Sequence, residues 1–449
     1  MSKKLIRLLT LVMAIAMVAS LAVGCGGNSN TPGGNKDGVE LPSGIQADVN
    51  PEDYKGTTVV YASWKNPWEN EDGPVIDAFV EKYGINVEWS QVDQGSYVSI
   101  IASSIASNKQ ADVFFENGSF PGSLTVMQPL DAAKLDLTSD VWNKTIINKS
   151  TVDGHAYLVD VLSNVWTETN ICVYNKNIFE SNGIKTPKEY YDEGKWTFAN
   201  FRIAASEVAA LGKEYVGAAV SAGESLQGAA GCSVFTYKDN KMVTTVDDRL
   251  IDVMTFMSQM RVDGLMKNDR SGFGKGKTGM AITDAFGLKK TGYFSEINPD
   301  HIAATYVPVW KEGEQQVSTG IYRGWGLIDG AKNPVAAGIF LREYLDVANY
   351  SISDTFLNDE VATFFFEVTG KVSENMVYYH GAGMASATGI GSYAYSTWDA
   401  ATPSGIKSAM DARVNTLNEM CDIANGIIED ERKWIKDAEE KGTIEKLSK

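Results

Sequence analysis

The chain is poor in the residues that most metal and redox chemistry needs. Its 449 residues include three histidines and four cysteines. His155, His301 and His380 stand alone, with no second His or Cys at metal-ligand spacing, so neither a metal nor any other cofactor is expected. No Gly-x-Ser-x-Gly and no dinucleotide fingerprint follows a strand signal. Phe273-Gly274-Lys275-Gly276-Lys277-Thr278 contains Gly-Lys-Thr but lacks the leading glycine that a P-loop requires. Positive charge is scarce as well: 40 Lys and Arg stand against 57 Asp and Glu, a formal charge of −17. No Lys/Arg run follows residue 7, and so acidic a chain repels phosphate backbones, which excludes nucleic acid as a partner. No repeat of solenoid length is present, and long apolar runs are confined to residues 8–24.

That run follows Lys3, Lys4 and Arg7, and small residues close it. A charged segment, an apolar segment and a small-residue end make a secretory signal, here residues 1–24. The run is short for a retained transmembrane anchor and lacks a stop-transfer flank. Its removal takes away three positive charges, so the mature chain of about 425 residues carries roughly −20, with length for two or three domains. Val23-Gly24-Cys25, followed by Gly26-Gly27-Asn28-Ser29-Asn30, resembles the lipobox of bacterial lipoproteins. The departure is Ala22 at the place where Leu is typical, with Leu21 one residue further back. The resemblance implies cleavage before Cys25, lipid on its thiol, and a cell-membrane location on the extracytoplasmic face. Two or more acyl chains hold stably where one does not. An ordinary cleaved signal that releases a free protein is the alternative. Three cysteines then remain, which permits one bridge at most. Cys172, in Ile171-Cys172-Val173-Tyr174, reads as a small buried hydrophobe, and a Cys232–Cys421 bridge stays open.

Residues 26–50 are rich in Gly, Asn, Ser, Pro and Asp, and 25–55 read as a lipidated cysteine and flexible tether. Order is expected from about Gly56. Val59–Ser63 reads as strand; Pro74 opens a helix with Val75, Ile76, Phe79, Val80 and Tyr83 on one face, and Gly84 caps it. Strand at 85–89, helix at 97–107 and strand at 111–115 follow. Such repetition implies an α/β fold with a parallel sheet, whose ligands bind beyond the carboxyl ends of the strands. The loops to watch are 64–72, 116–122 and the segment after Tyr157. Further on, helices are expected at 178–182, 201–211, 250–262 and 334–344, and a hairpin at 237–243. Strands are expected at 279–282 and 303–309, and the tail 406–441 is mostly helical.

Tyr174-Asn175-Lys176-Asn177-Ile178-Phe179 with Asn182-Gly183-Ile184 and Pro187, then Trp196-Thr197-Phe198-Ala199-Asn200-Phe201, resembles the signature of family 1 extracellular solute-binding proteins. These are the carbohydrate-binding subunits of bacterial ABC importers. Ala111-Asp112-Val113, the run Phe273 to Met280 and the run Ala336 to Leu345 match further family motifs in order, across about 56–345. The departure is Gly279 where the family usually has Ala. The resemblance implies a two-lobe periplasmic-binding-protein-like fold of type II, each lobe a mainly parallel sheet flanked by helices, joined at an interlobe hinge. Carried over, lobe one comprises 56–163 and 320–348, and lobe two 164–319 and 349–449. It also implies a monomer that takes a carbohydrate ligand and delivers it to ABC permease subunits, with membrane attachment through Cys25 and no enzymatic activity of its own.

A neutral sugar presents a C–H face that suits aromatic rings and a hydroxyl rim that suits carboxylates, amides and Arg. The chain has ten tryptophans, several at expected loops. Trp64 and Trp68 flank Lys65-Asn66-Pro67 after the first strand; Glu116, Asn117 and Ser119 follow another. Asn164, Trp166 and Glu168 lie in the first interlobe crossing, where the family often places a polar ligand contact at the position of Glu168. Asp284 and Phe286 follow Met280-Ala281-Ile282, and Phe286 corresponds to the aromatic that the family's strand delivers to the cleft. Gly324 and Gly326 let backbone approach a ligand while Trp325 and Arg323 supply stacking and donors. Tyr393, Tyr395 and Trp398 make a late rim loop. Trp89, Trp142, Trp196 and Trp434 are assigned to packing. Glu69, Glu71 and Asp72 lack the alternating spacing of a Ca²⁺ loop and read as solvated acids. A secreted lipoprotein glycosidase, or an adhesin that recognises glycans, would use the same cleft chemistry and remains the alternative.

Overall fold

The strand and helix signals assemble into two five-stranded sheets, both packed against helices. The computed structural model describes residues 39–161, 169–220, 223–239, 241–268, 270–321, 323–370, 376–379 and 401–444, all within the unit Val39–Lys449. The chain lays down β1 (Thr58–Ser63), β2 (Asn86–Gln91), β3 (Val113–Glu116) and β4 (Met127–Gln128) in the first lobe. It then builds β5 (Ile171–Asn175), β6 (Val216–Val220), β7 (Met266–Lys267), β8 (Thr278–Thr283) and β9 (Ile302–Thr305) in the second. It returns to the first for β10 (Gly324–Ile328). The orders are β2-β1-β3-β10-β4 and β7-β6-β8-β5-β9.

Each sheet is mixed. β1 pairs in parallel with β2 and β3, whereas β10 runs antiparallel to β3, with Trp325 opposite Phe115, and to β4. In the second sheet β6 is parallel to β7 and β8, and β5 is antiparallel to β8 and β9. The expected parallel pairing therefore describes the strand–helix–strand half of each sheet. The antiparallel pairings belong to the strand that enters each sheet from the other lobe.

Helix α1 (Asp72–Tyr83) starts two residues ahead of Pro74 and ends at Gly84, whose φ of 64° is the left-handed cap expected there. α2 (Tyr97–Ala106) lies between β2 and β3 in the chain, and α3 (Phe198–Ala209) covers the second sheet. Thr197 caps α3 by accepting from Asn200 N at 3.3 Å, and Trp196 Nε1 donates to Tyr306 O at 2.8 Å. A Cβ at Gly279 would lie 2.7 Å from Val208 Cγ2 on α3, so the departure from Ala at that position is a close packing of strand on helix. Helix α4 (Asp248–Val262) also belongs to this lobe. α5 (Pro334–Tyr344) packs on the first sheet, and Asp112 fixes its start: Oδ1 accepts from Lys332 N at 2.7 Å and Asn333 N at 3.0 Å, while Oδ2 accepts from Val60 N at 2.8 Å. α6 (Asp359–Gly370) packs on β9.

Two assignments change at the ends of the body. Residues 39–55 were expected in the tether, yet Ile45 sits in the core. Gly44 O accepts from the buried Trp142 Nε1 at 3.2 Å, and Ser43 O from Arg342 Nε at 2.7 Å. The tail is helical as expected, but α7 (Val414–Glu440) is shared between the lobes rather than confined to the second. Leu417, Met420, Cys421 and Ala424 belong to the second lobe's core, while Ile428 and Ile435 join Phe120, Leu124 and Val126 of the first. Cys172, Cys232 and Cys421 are buried free thiols, which closes the question of a bridge, and burial holds each above the ordinary thiol pKa. No described helix is long and apolar enough to cross a membrane.

Candidate functional site

The carboxyl ends of β1, β2 and β3 face the loop that follows β8, and between them lies a cleft of about 730 Å³. Its first-lobe wall carries Trp64 directly after β1, Trp89 and Gln91 at the end of β2, and Phe115 on β3. Trp64 and Phe115 lie 5.7 Å apart between ring centroids, and Phe115 and Trp325 5.1 Å. The second lobe contributes Phe286, Lys289 and Thr291. Lys65 Nζ reaches across to sit 4.6 Å from the centre of the Phe286 ring. The floor is Tyr61, Trp325 and Tyr344, a cluster with centroids 5.2–5.8 Å apart.

A charged group crosses the cleft. Lys289 is 2 % exposed at its side chain and pairs with Glu71 of the opposite lobe. Asp72 adjoins this pair at the first turn of α1, with Tyr350 Oη donating to its Oδ1 at 3.5 Å. Burial pushes the Asp72 carboxyl up to about 7; the Lys289 ammonium opposes the shift and Glu71 adds to it. Burial also lowers Lys289 itself, against the pull of Glu71 and Asp72. Trp325 Nε1 is buried there with no hydrogen-bond partner among the described residues. Asn66, Glu69 and Asn70 complete the rim on the loop 64–72.

Of the residues singled out from sequence, Trp64, Phe286 and Trp325 line the cleft. Trp325 does so as floor, only 2 % exposed. Trp68 points away, 42 % exposed, its Nε1 donating to Asp77 Oδ1 at 3.0 Å. Glu116 lies beneath the cleft and is fully buried. Its carboxylate accepts from Tyr97 Oη at 2.7 Å, Gly118 N and Phe120 N at 2.9 Å, and Ser119 N. It braces its own loop and is not among the residues that line the cleft, and burial raises its pKa. Asn117 donates its backbone N–H to Tyr97 Oη at 3.2 Å, and Ser119 is buried beside Tyr97. Asp284 caps the turn Ala285–Leu288 through Gly287 N at 3.2 Å, with Arg270 Nη1 4.0 Å away. Arg323 is half-buried near Glu116, whose charge it favours, and does not line the cleft. Asn164, Trp166, Glu168, Tyr393, Tyr395 and Trp398 lie outside the described residues, as does Cys25.

Two assignments to bulk roles also change. Trp89 lines the cleft while its Nε1 bonds Ser63, and Trp434 is 40 % exposed instead of packed. Glu69, Glu71 and Asp72 belong to the cleft lining and not to open solvent. No cluster suited to a metal ion occurs among the described residues. Lys289, Glu71 and Asp72 were missed as a set because 218 residues separate Lys289 from Glu71. The loop carrying two of the three was nonetheless marked by its place after a strand.

The sequence profile described as bacterial extracellular solute-binding protein matches residues 55–349. No curated protein is matched. Among solved structures, the galacto-N-biose-/lacto-N-biose I-binding protein of a Bifidobacterium longum ABC transporter, in complex with lacto-N-biose, is similar with a TM-score of 0.61. It is 14 % identical, over 81 % of this chain and 97 % of that one. An ABC transporter associated binding protein of B. animalis subsp. lactis, in complex with β-1,6-galactobiose, gives 0.59 and 16 % over 81 % and 98 %. The GacH receptor of Streptomyces glaucescens, solved unliganded and with acarbose, gives 0.54 and 16 % over 83 % and 99 %. At these identities the structures establish a shared fold.

Proposed function

Because the chain belongs to the bacterial extracellular solute-binding protein family, we propose that it captures a mono- or oligosaccharide in the cleft between its lobes and hands it to an ABC permease. The observation that carries this reading is the lining. Aromatic rings from both lobes, Trp64, Phe115 and Phe286, alternate with amides and acids of the loop 64–72. Rings cover the C–H faces of a pyranose, and carboxylates and amides bond its hydroxyls two at a time. The structural relatives named above were solved with lacto-N-biose, β-1,6-galactobiose and acarbose, which agrees with this choice.

Capture works by difference. A ligand held from both sides stabilises the closed arrangement by as much as it binds that arrangement better than the open one. The protein itself would carry no hydrolase or ATPase activity, and lipid on Cys25 would keep it beside its permease. A thermal-shift panel of maltose, lacto-N-biose, β-1,6-galactobiose and common monosaccharides tests the reading, with amino acids, peptides and polyamines as controls. One sugar class should raise Tm without being cleaved. Trp64→Ala should then weaken its affinity about tenfold, the scale of one lost aromatic contact, near 1.4 kcal/mol. A shift with the controls alone, or turnover of the sugar, refutes the assignment.

A further inference from the structure

Helix α7 is held at its two halves by different lobes. In the first half, Asn425 Nδ2 donates to Met242 O at 3.0 Å and Oδ1 accepts from Met242 N at 2.8 Å, which ties the helix to the hairpin strand Lys241–Thr244. Cys421 Sγ lies 3.5 Å from Thr244 Oγ1 on the same strand, and Leu417, Met420 and Ala424 sink into the second lobe's core. In the second half, Tyr157 Oη donates to Glu431, and Glu439 lies 3.6 Å from His155 Nε2. Ile428 and Ile435 are buried in the first lobe's core.

The hand-over falls between Asn425, the last second-lobe anchor, and Ile428, the first buried residue of the other set. Gly426 stands at that step. It is exposed, and a Cβ there would meet nothing within 4 Å. Packing therefore does not require glycine at this point. Glycine is among the least favourable residues inside a helix because it leaves the backbone free to leave helical geometry. A rigid 27-residue rod seated in both lobes would oppose any change in their relative position.

We infer that Gly426 is the flex point of α7, the residue at which this shared helix bends or pivots as the lobes move. The inference rests on the reading of a cleft that opens and closes, and it assigns a positioning role to a residue far in sequence from the cleft lining. Its loss should restrict lobe motion even without ligand.

The test measures the interlobe distance distribution by pulsed electron paramagnetic resonance. The full chain carries Cys25→Ser and spin labels at Lys109→Cys in the first lobe and Lys213→Cys in the second. Both lysines are exposed, and the native cysteines 172, 232 and 421 are buried away from label. Without ligand, the parent should show a broad or two-population distribution, and Gly426→Ala should narrow it at least twofold. Asp422→Ala is the control: it is exposed one turn earlier in the part of α7 seated in the second lobe, and it raises helix propensity comparably. It should leave the distribution as in the parent. An unchanged Gly426→Ala distribution overturns the inference. So does equal narrowing by Asp422→Ala, or a parent with a single narrow distance. The sugar reading fails by a different sign, the absence of any sugar-induced thermal shift, and this leaves the unliganded distances intact as evidence.

Discussion

Asp72 shows how a charge can be placed where solvent cannot reach it. Its side chain is nearly buried between the Glu71–Lys289 pair and the tyrosine cluster, and its folded pKa of about 7 exceeds the ordinary value of 3.8. Folding thus favours the protonated form. The contribution is full below about pH 4 and is lost as pH rises through about 7. Asp72→Asn should therefore unfold like the parent near pH 4 but gain about 2 kcal/mol at pH 8. Urea denaturation at both values checks this, and an equal change at the two would refute it. Individual residues were legible where local chain direction decides their place: Trp64 and Phe286 follow strands and line the cleft. Glu116 ends a strand, yet the backbone turns at Gly118, φ 84°, and brings three N–H groups onto its carboxylate. Nothing in residue type separates an acid that meets a ligand from one that meets its own loop.

Among the elements, boundaries set by local chemistry were readable, while partners were not. Pro334 and the apolar face behind it give α5 its limits, and Gly84 ends α1. Periodicity reports that a face is apolar but not what covers it, so α7 read as a helix without its division between two cores. The segment before Gly56 was hidden by composition: polar and glycine-rich, it buries one large side chain, Ile45, opposite Leu135. Ile45→Ala should cost about 2–3 kcal/mol in urea denaturation. A cost near zero would return residues 39–55 to the tether.

For the molecule as a whole, the proposed lipid attachment and the capture of sugar are separable. The cleft lies within the described body, whereas Cys25 lies before it. Cys25→Ala should release the protein from the membrane fraction and leave sugar-dependent stabilisation within error of the parent. Persistence in washed membranes would remove the lipid assignment. The sequence disclosed the architecture at this scale through motifs spread over two thirds of the chain. It did not disclose that each sheet takes its antiparallel strand from a chain just returned from the other. That threading bears on how the molecule comes into being. Among the described residues β4 pairs only with β10, so about two hundred residues must emerge from the ribosome after Gln128 before that edge of the first sheet has its neighbour. Both cores then wait for α7. Neither core is complete before α7 is made, and a premature stop before Leu417 removes residues from both at once. Contacts between parts of the chain this far apart close late, so both cores stay unfinished until α7 has been synthesised.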